Sequence, residues 1–430
     1  MSMTYSISEN GLIGSEQQWP EAPLNGIVVP DDVFQLLRRF TFESDQADVL
    51  LTFTVQKGRE LIRVRNYVGI LPLSGKTYLE ILPKIEPPAN PRSLLLTMLR
   101  HVQYSPFRTL KSAHTSATQL PLWEVFVRAF LDTMEPLILQ GIQRSYVAVE
   151  RNEQFWKGKF QVARQLRENA HHAERLAVVY ERLTADVPAN RILKTTLLYL
   201  NQQAGNSANQ RRIQQFLSAL EDVPPTESVP DDLKAIRRTS RLFARYEPAL
   251  RWAEALLSRQ GFGAKTGQMP SLSLLFLMER VFEEYVAYGV RTYWPDAGNV
   301  TVQESSAHLV DEHVGAPKFK LRPDMLIRHN DQLFVLDTKW KQVNGQELRS
   351  TSETGNYGIE QADMYQLYAY GKKYGASDLF LIYPTNTTFR QPLPVFRYDA
   401  LTRLHVVPFD VTNSLVKEVE KLATYALSFQ

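Results

Sequence analysis

Two aspartates and a lysine in the last third of the chain have the types and spacing for metal-assisted chemistry. They are Asp324, Asp337 and Lys339, within the segment from Leu321 to Lys341. Apolar and β-branched residues flank a polar turn at residues 329–331, so this segment is predicted to form a β-hairpin. Side chains alternate along a strand, so Asp337 and Lys339 share one face, and Asp324 enters the neighbouring strand.

Such a group could bind Mg²⁺ and hydrolyse a phosphodiester. Magnesium prefers octahedral oxygen coordination, keeps several waters, and is usually held by one or two carboxylates plus substrate phosphate. The metal activates water and neutralises charge that builds on a phosphoryl group, and a nearby lysine can orient that water or stabilise the same charge. The alternative is a surface ion pair at a strand end, because Asp-x-Lys is common on solvated strands.

Helices are predicted on both sides of this hairpin. The segment from Ser271 to Val286 is amphipathic, and its Glu279 and Glu283 lie four residues apart on one face. The segment from Ile359 to Tyr374 also has a helical pattern. Both helices could bring polar side chains to the hairpin, although the two glutamates could equally be solvated.

The order of these features resembles the PD-(D/E)xK nuclease signature. A Pro-Asp pair at Asp324 is followed by twelve residues and then by Asp337-x-Lys339. These folds commonly place a helical acid before the hairpin, and Glu283 is the choice for it here. The resemblance therefore implies catalytic roles for these four residues, with Asp324, Asp337 and Glu283 as ligands of Mg²⁺.

A second element resembles the RecB-like branch of these nucleases. Gln366 and Tyr370 are four residues apart on one face of the helix after the lysine strand. They resemble the Gln-x-x-x-Tyr element that packs beside the metal site and the DNA backbone in that branch, which implies a supporting role. The alternative is a polar pair on an ordinary core helix.

Composition permits a nuclease without demanding one. A chain of 430 residues suggests two or three domains, and its hydrophobic and charged fractions are ordinary for a globular protein. A net charge of +3 permits contact with nucleic acid. The absence of cysteine excludes disulfides, zinc-thiolate sites and cysteine nucleophiles, and it fits a cytoplasmic location. No signal peptide or membrane span is expected.

The fold is predicted to be α/β and multidomain. We expect a flexible arm at 1–25, a β-rich partner-binding domain at 26–90, a mainly helical region at 91–265 and an α/β domain with a mixed central sheet, of PD-(D/E)xK type by resemblance, at 266–430. Gly261, Gly263 and Gly267 mark the last linker. The predicted strands are LLTFTVQKG, ELIRVRNYVGILPL, TYLEILPKI, YVAVE, LAVVY, LFLIY and LHVVPF, besides those of the hairpin.

From about residue 50 to residue 430, the chain resembles the McrC family. The matching segments are Asn66-Tyr67-Val68-Gly69, Leu79 to Ile85, Trp156-Lys157-Gly158-Lys159, Asp186 to Lys194, Phe282-Glu283 and Arg322-Pro323-Asp324 to Lys339. The segment Trp156-Lys157-Gly158-Lys159 departs from the family pattern, because it has Trp-Lys where Arg is usual. The first 45 residues look like an extension without an assigned role.

This resemblance implies a partner and a substrate. McrC-like proteins are nuclease subunits of the McrBC 5-methylcytosine-dependent restriction system, and they work with a hexameric AAA+ GTPase of McrB type that reads modified cytosine in double-stranded DNA. Their N-terminal β part inserts into the ring and stimulates hydrolysis. Here the hairpins of residues 50–90 would be that insert, with Arg63, Arg65, Lys76 and Lys84 as candidate contacts.

The favoured interpretation is a Mg²⁺-dependent DNA endonuclease subunit of a modification-dependent restriction complex. One alternative is a non-catalytic assembly or activating subunit of the AAA+ ring with a vestigial nuclease fold. Another is a stand-alone RecB-like nuclease that needs no partner.

Overall fold

A computed structural model divides the chain into two compact units. It describes residues 3–23, 25–43, 50–85, 90–103, 106–110, 120–238, 244–257, 274–295, 299–330, 332–346 and 356–429. The main unit is Met3–Leu122 with Arg259–Gln430, and the middle unit is Trp123–Ser258. The predicted linker glycines at 261, 263 and 267 lie outside the described residues.

Eleven α-helices occur in the described ranges. They are α1 (Asp31–Glu43), α2 (Pro91–Leu99), α3 (Leu122–Leu139), α4 (Val162–Glu168), α5 (Pro188–Gln203), α6 (Ser207–Ala219), α7 (Val229–Arg238), α8 (Glu247–Leu257), α9 (Met278–Tyr293), α10 (Gln361–Tyr374) and α11 (Leu415–Leu427). None of these described helices is long and apolar enough to cross a membrane.

The strands of the same ranges form five sheets. They are β1 (Met3–Ser8), β2 (Leu12–Ser15), β3 (Gly26–Val29), β4 (Leu51–Gln56), β5 (Arg59–Val64), β6 (Tyr67–Ser74), β7 (Thr77–Leu82), β8 (Ser145–Glu153), β9 (Lys159–Phe160), β10 (Leu176–Thr184), β11 (Leu274–Leu277), β12 (Val300–Val302), β13 (His308–His313), β14 (Ala316–Lys320), β15 (Met325–His329), β16 (Gln332–Thr338), β17 (Asp378–Pro384), β18 (Phe396–Arg397) and β19 (Arg403–Phe409).

A six-stranded mixed sheet in the main unit has the order β12-β15-β16-β17-β19-β18. The β15–β16 pair is antiparallel, whereas β16–β17 and β17–β19 are parallel. Leu367 of α10 packs with Val335 and Leu379 on one face. Because side chains alternate along a strand, Phe380 lies on the other face, where it contacts Tyr425 of α11. The predicted α/β arrangement around a mixed sheet is thus confirmed.

The first 25 residues differ from the flexible arm that was predicted. β1 pairs in parallel with β7, and β2 joins a second sheet of order β3-β2-β5-β4. The N-terminal segment is mostly polar in composition, but a few of its apolar side chains are buried in these sheets, among them Ile7 and Ile13. Burial of such side chains favours the ordered state by roughly 1.5–3 kcal/mol each.

The segment ELIRVRNYVGILPL forms two strands where one was predicted. β5 ends at Val64, β6 begins at Tyr67, and the two belong to different sheets. The break at Arg65 and Asn66 lets the chain pass between the sheets. Alternation of apolar residues cannot reveal this change of partner.

The helix predicted from Ser271 begins later, at Met278. Residues 271–273 lie outside the described ranges, and Leu274–Leu277 form strand β11, which pairs with β6. Four consecutive apolar residues are compatible with a buried strand as well as with a helix. This pairing also joins residues of the predicted 26–90 and 266–430 domains in one sheet.

The middle unit contains most of α3, helices α4 to α8, and a three-stranded antiparallel sheet of order β8-β10-β9. The predicted strands YVAVE and LAVVY are confirmed as parts of β8 and β10. Most residues of strand β8 are exposed to solvent. This unit falls within the region 91–265 that was predicted to be mainly helical.

Candidate active site

The β15–β16 hairpin brings Asp324 and Asp337 together. Met325 pairs with Leu336 across the hairpin, so Asp324 and Asp337 are the next facing residues in the same register. Facing side chains on antiparallel strands lie on one side of the sheet, with their Cβ atoms about 4.5–5.5 Å apart. The two carboxylates therefore meet at the end of the hairpin.

Asp324 is held in place by the strand opposite. Its Oδ2 accepts two hydrogen bonds of 2.7 Å, from the backbone N and from Oγ1 of Thr338. Burial and the charges of Asp337 and Glu283 nevertheless raise the pKa of Asp324 well above its usual value, and the Thr338 bonds oppose that rise only in part. The hydrogen bonds from Thr338 therefore do not fully offset the negative charge of the neighbouring carboxylates.

Asp337 and Lys339 form an ion pair on the same strand face. Nζ of Lys339 donates to Oδ2 of Asp337 at 2.5 Å, and Asp337 is only 1% exposed. Burial raises the pKa of Asp337, although Lys339 opposes it. Burial lowers the pKa of Lys339, but the charge of Asp337 outweighs this and the net shift is upward. Lys339 is therefore protonated at neutral pH.

Helix α10 carries Gln366 and Tyr370, the pair that was predicted to support the site. Nε2 of Gln366 donates to Tyr370 Oη at 2.7 Å, and Tyr370 Oη donates to the carbonyl oxygen of Arg322 at 3.1 Å. Nζ of Lys339 lies 3.5 Å from Oε1 of Gln366. The buried tyrosine thus fixes the chain just before Asp324, and the glutamine reaches the lysine at the limit of a hydrogen bond.

Gln303 also lies at the candidate site, although no sequence pattern points to it. Its Nε2 donates to Glu283 at 2.8 Å, its backbone N donates to the carbonyl oxygen of Asp324 at 2.8 Å, and Arg322 donates to its Oε1. Gln303 has a φ of 51°, a left-handed conformation that is uncommon outside glycine. It connects α9 to the hairpin and brings the Glu283 charge close to both aspartates.

Glu279, by contrast, faces the N-terminal sheets. Its Oε1 accepts a hydrogen bond of 3.4 Å from Nδ2 of Asn66. Of the two helical glutamates considered, only Glu283 has an electrostatic effect on Asp324 and Asp337.

The oxygen atoms present fit a hard cation only in part. No group of three or more Asp, Glu, His or Cys side chains in the described ranges is arranged to hold a metal. Magnesium needs only one or two carboxylates, with waters and substrate phosphate completing the shell. Two adjacent aspartates with raised pKa values are a donor set that a cation would stabilise, so Asp324 and Asp337 fit Mg²⁺, whereas Glu283 as a third ligand remains a prediction.

A buried carboxylate from the first strands contacts the residue after Lys339. Oε1 of Glu9 accepts hydrogen bonds from Nε1 of Trp340 at 2.6 Å and from the backbone N of Lys84 at 3.0 Å. Its Oε2 has no partner, and Glu9 is 2% exposed. Burial raises the pKa of Glu9 to about 7. The N-terminal sheets thus support the end of the lysine strand.

We expect Glu9→Gln to remove a pH dependence of stability. The pKa of Glu9 rises from 4.5 to about 7 on folding, so the native state binds an extra proton between these values and its stability falls as pH rises through them. The whole fall is at most about 3 kcal/mol, and glutamine keeps the Oε1 acceptor. Denaturant unfolding of both proteins across this range measures the effect.

Exposed Glu16 provides the control. Glu16→Gln should reproduce the pH profile of the unchanged protein. Parallel profiles for Glu9→Gln and the unchanged protein would show that Glu9 does not titrate in this window.

The four candidate partner contacts lie on β5 or in the segments that flank strands β5 to β7. Arg63 and Lys84 are exposed, Arg65 donates from Nε to Oγ1 of Thr52 at 2.7 Å, and Lys76 lies in the β6–β7 turn. The hairpins β4–β5 and β6–β7 belong to separate sheets. These contacts stay predictions.

The known proteins that this chain resembles include components of McrBC systems. A family model described as "McrBC 5-methylcytosine restriction system component" matches residues 62–384. A chain of the refined half-complex from the tetradecameric assembly of Thermococcus gammatolerans McrB AAA+ hexamers with bound McrC has a TM-score of 0.74 and 18% identity, covering 99% of this chain and 100% of that one. This likeness shows a shared fold.

A chain of the Thermococcus gammatolerans McrBC complex has a TM-score of 0.49 and 19% identity, over 68% of this chain and 88% of that one. No curated protein matches the chain by sequence.

Proposed function

Because the chain belongs to the McrBC family of 5-methylcytosine restriction system components, we propose that it is the Mg²⁺-dependent DNA endonuclease subunit of such a system. The observation that supports this most is the meeting of Asp324, Asp337 and Lys339 at the end of one hairpin of a mixed sheet. This arrangement matches the PD-(D/E)xK type of phosphodiester hydrolysis.

The residues of the candidate site would have two kinds of role, binding of the cation and stabilisation of charge on the phosphoryl group. Asp324 and Asp337 would hold the cation, and Glu283, fixed by Gln303, would be the third acid. A bound divalent cation would supply an activated water and neutralise phosphoryl charge. Lys339 is protonated, so it acts as a hydrogen-bond donor that orients the attacking water or stabilises the pentacovalent phosphoryl charge, rather than as a base.

Gln366 and Tyr370 would have a positioning role. Their hydrogen bonds connect α10 to Lys339 and to the backbone before Asp324. Removing either group would loosen the site without deleting a ligand.

The proposed partner is an AAA+ GTPase ring of McrB type, and the proposed substrate is double-stranded DNA with modified cytosine. Support comes from the family and from the fold shared with a chain of the McrB–McrC assembly. The hairpins of residues 50–90, with the basic residues named above, are the proposed contact with the ring. A ring that hydrolyses nucleotide and a chain without cysteine fit a cytoplasmic location.

Reconstitution with the AAA+ protein of the same system tests the proposal. DNA cleavage and nucleotide hydrolysis should be measured separately, with Mg²⁺ and with a chelator. We expect Mg²⁺-dependent double-strand cleavage that requires both proteins. Stimulated hydrolysis without cleavage would favour the non-catalytic activating subunit, and cleavage by this chain alone would favour the stand-alone nuclease.

Thr338→Val should reduce cleavage and shift its pH profile. The substitution preserves shape but removes the Oγ1 donor to Asp324. A hydrogen bond to a charged group contributes about 1.5–3 kcal/mol, so we expect a loss of roughly ten- to a hundredfold at neutral pH, with partial recovery at higher pH because the pKa of Asp324 rises further. Thr338→Ser keeps the donor and should cleave normally.

Initial cleavage rates across a pH series measure this effect. A valine variant with an unchanged rate and an unchanged profile would show that the Thr338 hydroxyl does not tune Asp324.

A further inference from the structure

The β13–β14 hairpin is a surface that the proposed chemistry does not use. It comprises His308–His313 and Ala316–Lys320, and every residue from 311 to 320 is exposed. Its base is fixed, because the backbone N of Leu321 donates to the carbonyl oxygen of Ala307 at 2.9 Å. Lys373 of α10 also bonds Asp311 at 2.8 Å. The hairpin is therefore an anchored but largely solvent-exposed β-ribbon.

The ribbon presents an apolar pair to solvent. His308 pairs with Lys320 and Val310 with Lys318, and Leu309 and Phe319 are the residues between these two pairs on their strands. Phe319 is 73% exposed and Leu309 is 45% exposed. Phe319 also has a φ of 57°, a strained conformation for a bulky residue. No contact among the described residues compensates for the exposure of Phe319 or for its strained backbone conformation.

Lys318 and Lys320 are the neighbours of Phe319 along the chain. Lys318 and Lys320 form no ion pair with any described residue, although the charge of Lys320 contributes to lowering the pKa of Glu304. The hairpin's own acids are Asp311, which Lys373 neutralises, and Glu312. An exposed aromatic residue with a lysine on each side of it in the sequence suits a polyanion with flat apolar groups better than it suits an apolar protein surface.

The hairpin lies beside the candidate active site along the chain. Lys320 is four positions before Asp324, so the Cα atoms of these two residues lie at most about 14 Å apart. Phosphates of one DNA strand repeat every 3.4 Å along the axis, so this distance corresponds to roughly four nucleotides.

We propose that the β13–β14 hairpin is a DNA-contacting ribbon that holds the duplex at the cleavage site. Lys318 and Lys320 bind backbone phosphates next to the scissile one. Phe319 packs against a sugar or base and acts as an apolar wedge, as such side chains do in other DNA-bending proteins. This inference rests on the proposed nuclease function and adds the contact that positions its substrate.

DNA affinity of the full-length chain tests the aromatic contact. Fluorescence anisotropy with a short labelled duplex should show about tenfold weaker binding for Phe319→Ala, in the range of a lost stacking contact. Phe42 on α1 is 64% exposed and lies outside the proposed contact, so Phe42→Ala is the matched control and should bind normally. Equal affinity of the Phe319 variant and the unchanged protein would overturn the wedge.

Salt dependence tests the lysines. Replacing Lys318 and Lys320 by glutamine should reduce the slope of log K against log salt concentration by about two, since each phosphate contact contributes about 0.9. The exposed lysines of α11 are the control, and the pair Lys417→Gln and Lys421→Gln should leave the slope unchanged. An unchanged slope for the hairpin pair would overturn the phosphate contacts.

Two further readouts separate this inference from its rivals. Loss of partner stimulation or of self-association in Phe319→Ala, with DNA affinity intact, would show that the ribbon is a protein interface and overturn the proposal. Failure of the nuclease function itself would appear as an absence of DNA cleavage by the reconstituted complex that contains the unchanged protein. The affinity measurements do not depend on that result, because binding is measured without cleavage.

Discussion

Lys339→Ala should lower DNA cleavage by at least about a hundred- to a thousandfold, the range found when one charge-stabilising donor is removed. Lys339 is the cation nearest the two aspartates, its pKa is raised, and its ammonium bonds Asp337 directly. Because the side chain is partly exposed and acts in the chemical step, the fold and the stimulation of the partner's nucleotide hydrolysis should persist. Cleavage assays and hydrolysis assays on the same complex measure both.

Lys341 offers a matched control two residues along. Its Nζ bonds Glu360 at 2.9 Å and Asp363 at 3.1 Å, away from Asp324. Lys341→Ala should reduce cleavage much less than Lys339→Ala does, because the ion pairs of Lys341 are made with neither Asp324 nor Asp337. Equal losses for both lysines would mean that Lys339 has no special role, and normal cleavage by Lys339→Ala would place the chemistry elsewhere.

Asp324→Asn should abolish cleavage and, in the absence of metal, stabilise the protein. The substitution removes one of two adjacent charged carboxylates, while the asparagine Oδ1 can still accept from Thr338. The pKa of Asp324 is raised on folding, so in the unchanged protein the native state binds the extra proton and stability falls as pH rises above the ordinary aspartate range. The stabilising effect of the substitution should therefore grow from acidic to neutral pH.

Thermal unfolding with and without Mg²⁺ measures this prediction. Each kcal/mol gained should raise Tm by about 2–4 °C in a unit of this size. Mg²⁺ should stabilise the unchanged protein, because a ligand that binds only the native state shifts the equilibrium, and it should not stabilise the variant. A lower Tm for the metal-free variant, or equal stabilisation by Mg²⁺, would contradict the paired-carboxylate account.

The hairpin of the site could be predicted from sequence because its signals are local. The turn, the alternation and the spacing between Asp324 and Asp337 all lie within about twenty residues, and strand alternation fixes which side chains share a face. The same holds for Gln366 and Tyr370, which the helical period places together. The register of β15 with β16 then confirmed that the two aspartates face each other.

Contacts between distant segments could not be predicted in this way. Gln303 connects Glu283 to the hairpin through three hydrogen bonds. A single glutamine belongs to no sequence motif from which these contacts could be predicted. Glu9 reaches Trp340 across 331 positions of the chain. Strand β11 depends on pairing with β6, and intrinsic preference cannot choose between a strand and a helix for four apolar residues.

The most direct test of the central claim is a crystal structure with Mn²⁺ in place of Mg²⁺, read by anomalous scattering. The account predicts one strong peak bound by both Asp324 and Asp337, at about the 2.1 Å that hard octahedral cations prefer, and no peak in Asp337→Asn. A peak at another group of residues, or none between these two aspartates at saturating metal, would contradict it.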